Sequence, residues 1–256
     1  MEVPRMLVVA ALTIRASFTG LRPIALAVLA SIPTLIVVAV LAGRGSTDSA
    51  ASAAFGLFGT LTLRVVLMLI VLVLLTSQFR SEIELDTLTY LTTRSIPRAQ
   101  VAVGKYLGGV SASLALLLPA ALAPAGVAAL AGATMPSVAT PEAIVVVTVF
   151  ATLAYGAVFL LFGLLTRSAL ILGLIYGFLW EELLLFLPGQ FPRLTVLYYL
   201  GALATRMAPT GPFSGPLPPI SLAAAAAAPL LVAVVFVGLT AFLLRTIETA
   251  PQRVSA

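Results

Sequence analysis

The chain has 256 residues, of which 61% are hydrophobic and only 9% charged, against about 25% charged in ordinary soluble domains. With a mean hydropathy of +1.16, this composition excludes a soluble globular domain, a disordered chain and a fibrous one. There is no cysteine and no histidine, which removes disulfides, thiolate chemistry, histidine metal sites and histidine-dependent triads.

The 14 Arg/Lys and 9 Asp/Glu give a net charge of +5. The bases are separated by apolar runs. They read as loop charge that orients membrane spans, not as a nucleic-acid patch.

Residues 5–21 come first. Leu7, Ile14, Phe18 and Leu21 share one helical face, and Arg15, Thr19 and Arg22 share another. That periodicity predicts an amphipathic helix on the cytosolic membrane surface. A central Arg15 argues against a span there, because a mid-membrane charge costs about 2.5–3.5 kcal/mol on insertion scales.

A bilayer crossing needs about 20 apolar residues. Six stretches qualify, at residues 24–42, 61–79, 106–130, 143–165, 169–187 and 223–244. The expected fold is therefore an all-α membrane protein, with a single transmembrane domain over 1–256. The first run is too long for an ordinary signal-peptide core.

An even number of spans puts both termini on one side. Ten bases fall on that side, Arg5, Arg15, Arg22, Arg80, Arg94, Arg98, Lys105, Arg167, Arg245 and Arg253. Arg44, Arg193, Arg206 and Arg64 belong to the other. The excess predicts cytoplasmic termini.

Residues 43–59 and 131–142 read as outer loops, and Thr166–Ser168 as a tight inner turn. Residues 188–220 form a long outer loop with a proline-rich second half. Within it, Leu194–Ala204 is expected as a short interfacial helix, with Tyr198 and Tyr199 at headgroup level.

The segment 81–102 is a charged inner loop. Ser81 and Glu84 match a capping box, which predicts a helix start at Ser81. Glu82, Glu84 and Asp86 would favour its positive end and Arg94 its negative end. Leu85, Leu88 and Leu91 make an apolar stripe. Pro97 forces a break before the third span.

This segment carries a family resemblance. An acidic pair, Thr87-Leu88, a short apolar helix, Arg94-Ser95-Ile96-Pro97-Arg98 and Gly104-Lys105 before the next span resemble an ABC type-2 permease. Asp86 stands where that family usually has glycine, and the Ser and Pro of its Arg-Pro-Ile-Ser-Arg run are exchanged.

The resemblance implies the permease subunit of an ATP-binding-cassette exporter in a bacterial or archaeal cytoplasmic membrane. It further implies a separate ATPase subunit that binds ATP and Mg, and a second permease copy, identical or related. Glu82, Glu84, Asp86, Thr87, Leu88, Arg94, Pro97 and Arg98 would form the coupling contact with that ATPase. The surface helix would sit against the same partner.

No G-x-x-x-x-G-K-[ST] loop occurs, so this chain is not expected to hydrolyse ATP itself. No catalytic residue and no metal site is expected. Trp180-Glu181-Glu182 resembles the paired glutamates of intramembrane CAAX-type proteases. Phe186 stands where those enzymes need arginine, however, and histidine ligands are missing.

Three charges fall inside spans. Arg64 lies about 24 Å from Arg80 along a helix, and Glu181 and Glu182 lie about 20 Å from Ser168. Similar depths predict an ion pair between Arg64 and one of the two glutamates. Adjacent glutamates point about 100° apart, so the other would face a dimer seam or an outer vestibule. Two other functions fit the sequence: an ion- or proton-coupled carrier using Glu181 and Glu182, and a membrane scaffold without transport.

Overall fold

The computed structural model describes residues 5–43, 46–84, 97–133, 139–208 and 220–246. Every regular element among them is a helix. Six helical rods are long and apolar enough to cross a membrane. The chain is a multi-pass membrane protein, because so much apolar surface on long helices needs a hydrocarbon solvent.

Helix α1 (Arg5–Ser17) precedes the first span, α2 (Arg22–Ala42). The second span is one continuous rod: α3 (Thr47–Leu57), a π-helical segment (Phe58–Val66) and α4 (Leu67–Glu84). Helices α5 (Arg98–Leu130) and α6 (Ala139–Leu165) are spans three and four. Span five joins α7 (Ala169–Leu174), a second π-helical segment (Ile175–Trp180) and α8 (Glu181–Phe186). A 3-10 turn (Phe191–Leu194) leads to α9 (Val196–Met207), and α10 (Leu222–Thr246) is the last span.

Several boundaries differ from those expected. Much of the outer loop at 43–59 is helix α3. Its alanines are good helix formers but weak hydropathy signals. Ala50, Ala51 and Ala54 are buried against neighbouring helices, and Ser46 caps the start by accepting the Ser49 N–H at 3.1 Å.

The expected helix start at Ser81 is absent, since α4 runs unbroken through it. A capping box works only where the chain enters a helix, and no proline or glycine between Phe79 and Ser81 interrupts this one. Span three begins at Arg98 instead of 106. Pro97 is its N-cap residue, and it does mark the break.

Helix α1 ends at Ser17, four residues early, and Gly20 turns the chain with φ of +79°. Its packed face is also different. Ala10 and Thr13 are buried with Met6, Val9 and Ser17 beside them, whereas Leu7, Val8 and Leu12 stay exposed. Small residues win this face because α5 approaches very closely. A Cβ on Gly108 would lie 2.7 Å from the Ala10 carbonyl oxygen and 2.6 Å from the Thr13 Cβ, and one on Gly104 would lie 2.9 Å from the Met6 carbonyl. Gly104 and Gly108 are four apart, the spacing that lets two helix backbones meet.

Helices α4 and α6 form the centre of the bundle. Helix α6 touches α4, α5, α7, α9 and α10. Spans one, five and six are peripheral, with Ile24, Val28, Phe178, Leu231 and Val234 exposed, as lipid-facing surfaces should be. Buried hydroxyls on the inner helices donate to carbonyls one turn back: Thr76 to Leu72, Ser113 to Gly109, Thr148 to Ile144 and Thr152 to Thr148. This satisfies them without water, the requirement for a polar group in a hydrocarbon setting. An edge-to-face aromatic cluster of Phe159, Phe162 and Tyr176 holds α6 to span five.

Candidate functional site

Two clusters of polar side chains stand out. The first lies where α1, α4 and α5 meet. Lys105 is only 4% exposed. Its Nζ donates to the Gln78 carbonyl at 2.5 Å and stands 4.9 Å from the centre of the Phe79 ring. Gln78 Nε2 donates to the Ser17 hydroxyl at 3.2 Å and to the Leu74 carbonyl at 3.0 Å. One lysine and one glutamine thus join the end of α1, the last turns of α4 and the first turns of α5. A buried ammonium is costly unless its protons are placed; a carbonyl and a ring face meet part of that need.

This junction brackets the expected coupling segment. Asp86, Thr87, Leu88 and Arg94 lie outside the described residues. Glu82 and Glu84 belong to the last turn of α4, and Arg98 opens α5, but their side chains also lie outside the description. Pro97 is exposed. The backbone therefore brings the two ends of the segment to one end of the bundle, beside α1.

The second cluster sits deep in spans two and five. Arg64 Nη1 donates to Glu182 Oε2 at 2.7 Å. The side chains are 41% and 27% exposed, so the pair opens onto the bundle surface. Both partners stand on or beside π-wound helix. Arg64 lies within Phe58–Val66, and Glu182 follows Ile175–Trp180 by two residues. π-Helix is rare and concentrates at functional sites. Its wider turn also changes which face a following residue presents, so α-helical depth alone cannot assign the partner.

Glu181 has a different role from either expected one. It is fully buried. Its Oε1 accepts the Val196 N–H at 3.2 Å, and its Oε2 accepts the Leu197 N–H at 3.0 Å. These are the first free N–H groups of α9, where the positive end of the helix dipole also lies. Thr195 completes the cap by accepting the Tyr198 N–H at 3.3 Å and donating to the Pro192 carbonyl at 2.7 Å. The Tyr155 hydroxyl makes no hydrogen bond of regular geometry.

This arrangement explains α9. The helix is packed into the bundle. Val196, Leu197, Tyr198, Leu200, Ala202, Leu203 and Ala204 are buried, and it packs against α6 and α10. Tyr198 is inside the protein, 3% exposed, and only Tyr199 beside it reaches partial exposure. The chain leaves span five, folds back to the level of Glu181 and starts a helix there. The start of α9 is buried, so a carboxylate from a neighbouring span supplies the acceptors that its N–H groups need.

The signal was present in the sequence. A threonine stands before an apolar run that is too short to span, and an unexplained acid lies within reach of it. Lys105 carried no comparable signal, because the residues that bury it are distant in sequence. Among the described residues no group of three or more acidic side chains could hold a metal ion. No protein-family model matches the chain, and a comparison with curated proteins finds no match.

Proposed function

We propose that this chain is the membrane-spanning permease subunit of an ATP-binding-cassette exporter. The observation that carries the reading is the Ser17–Gln78–Lys105 junction. It ties a short N-terminal helix to both spans that flank the charged segment 85–96. A force applied to that segment would reach spans two and three together, with α1 moving as part of the same unit. The segment itself carries the resemblance to the coupling region of such permeases. ATP hydrolysis would be supplied by a separate ATPase subunit, because the chain has no phosphate-binding loop.

The half-exposed Arg64–Glu182 pair supports a pathway or a second permease copy on the face shared by spans two and five. A charge pair opening onto lipid is expensive, and a wet path or a partner surface removes that cost. The same geometry weighs against a carrier that works by titrating Glu181. Both oxygens of Glu181 are held by the backbone of α9, which is the arrangement of a fixed anchor.

The decisive experiment is co-purification of the tagged chain from its native membrane, with mass spectrometry of the bound proteins. An ATPase subunit is expected, lost in Glu84→Ala and Arg98→Ala and retained in Arg206→Ala. Recovery of the chain without any nucleotide-binding protein overturns the reading.

A further inference from the structure

A cleft opens between the start of α9 and the middle of α10. It encloses about 270 Å³ and is lined by Arg193, Leu194, Val196, Tyr199, Pro229 and Leu231 among others. Its origin is visible in the sequence. Six consecutive alanines, Ala223 to Ala228, precede Pro229. They have no side chain beyond Cβ to fill the space beside α9.

The cleft opens on an apolar face of the bundle. Pro229 is seven residues into α10 from Leu222, about 10 Å along the helix. The start of α9 stands level with Glu181 of span five, which holds its N–H groups. Leu194 and Leu231 at the mouth are 63% and 65% exposed.

Arg193 is exposed beside this apolar mouth. Among the described residues it has no carboxylate partner: Glu182 is engaged by Arg64, and Glu181 by α9. A guanidinium near hydrocarbon needs an anion, and its planar fork fits phosphate oxygens well. The cleft is smaller than the roughly 300–1,000 Å³ of sites for drug-sized ligands. It suits a segment of one acyl chain rather than a whole small molecule.

We propose that this cleft binds one membrane phospholipid. Its phosphate sits on the Arg193 guanidinium. Part of one acyl chain lies against Val196 and Pro229. The lipid fills the space that α9 and α10 leave between them. Occupancy of this cleft does not depend on any partner subunit.

The test is native mass spectrometry of the full chain, delipidated in mild detergent and titrated with phosphatidylglycerol. Diacylglycerol with the same chains is the phosphate-free control, and inorganic phosphate is the chain-free control. One phosphatidylglycerol per chain should be retained. Arg193→Ala should weaken retention at least about tenfold, the usual effect of losing a charge-assisted hydrogen bond. Arg193→Lys should restore part of it. Ala228→Phe, which fills the cleft, should weaken it while leaving Arg193 in place. Arg206→Ala, an exposed arginine at the other end of α9, should bind as wild type.

Arg193 is exposed, so its substitution tests binding without threatening the fold. Equal retention by wild type and Arg193→Ala overturns the proposal. Equal binding of diacylglycerol overturns it as well. Displacement of the lipid by millimolar inorganic phosphate assigns a bare anion site and also overturns it.

Discussion

Glu181 and Glu182 are neighbours in sequence with opposite environments. Glu182 shares a partly exposed pair with Arg64, and its loss leaves an arginine whose side chain is already 41% exposed. Glu181 is buried and holds two backbone N–H groups that have no other acceptor. Removing it strands both donors, at about 1–3 kcal/mol each. Removing Glu182 should cost about 1 kcal/mol or less, the range of exposed pairs. Glu181→Ala is therefore expected to lower the thermal midpoint in detergent by more than Glu182→Ala, with Glu181→Gln between them because one amide oxygen remains to accept. A larger loss in Glu182→Ala would mean that the α9 cap contributes little. That these acids matter was readable from their place in an apolar span. Which one pairs with Arg64 was not, because the π-helical turns before them shift the facing by an amount that α-helical spacing does not contain.

At the level of elements, the long uniform runs were legible and the composite ones were not. Spans four and six follow from hydropathy alone. Helix α3 was hidden because alanine packs well but scores weakly, and the burial of Tyr198 in α9 was missed because burial by tertiary contact leaves no periodic trace distinct from interfacial burial. Helix α1 was found, yet its packed face was set by Gly104 and Gly108 on α5, not by its own larger side chains. That contact is a sensitive one. A Cβ at Gly108 would press on the backbone of α1, which cannot rotate away as a side chain can. Gly108→Leu should therefore lift α1 from the bundle and break the Gln78–Ser17 bond, while leaving the six spans intact. Limited proteolysis should cut within Arg5–Ser17 much faster in this variant than in wild type, with little change in the unfolding midpoint of the remainder. Unchanged protection of α1 would show that the close approach is not what holds it.

For the whole molecule, the governing question is whether all six rods cross. Five exceed 20 residues, and span five has only 18, near the lower limit for a 30 Å core. It also carries the ion pair, the α9 anchor and a π-helical segment, so it is the rod whose crossing most needs support. Aromatic packing on α6 and the Glu181 cap provide that support from two sides. If every rod crosses, Pro97 and Thr166 share one side and Gln190 lies on the other. The excess of basic residues predicts that the first two face the cytoplasm. The absence of native cysteine makes the test clean, because each single-cysteine variant reports one position only. Pro97→Cys and Thr166→Cys should be protected from a membrane-impermeant maleimide in intact cells and react after permeabilisation, whereas Gln190→Cys should react in both. All three positions are exposed or at turns, so a missing reaction would report sidedness and not burial. Labelling of Gln190→Cys only after permeabilisation, with Pro97→Cys and Thr166→Cys unchanged, would mean that span five enters and leaves by the same face. The Arg64–Glu182 pair would then lie in a re-entrant loop instead of a crossing helix.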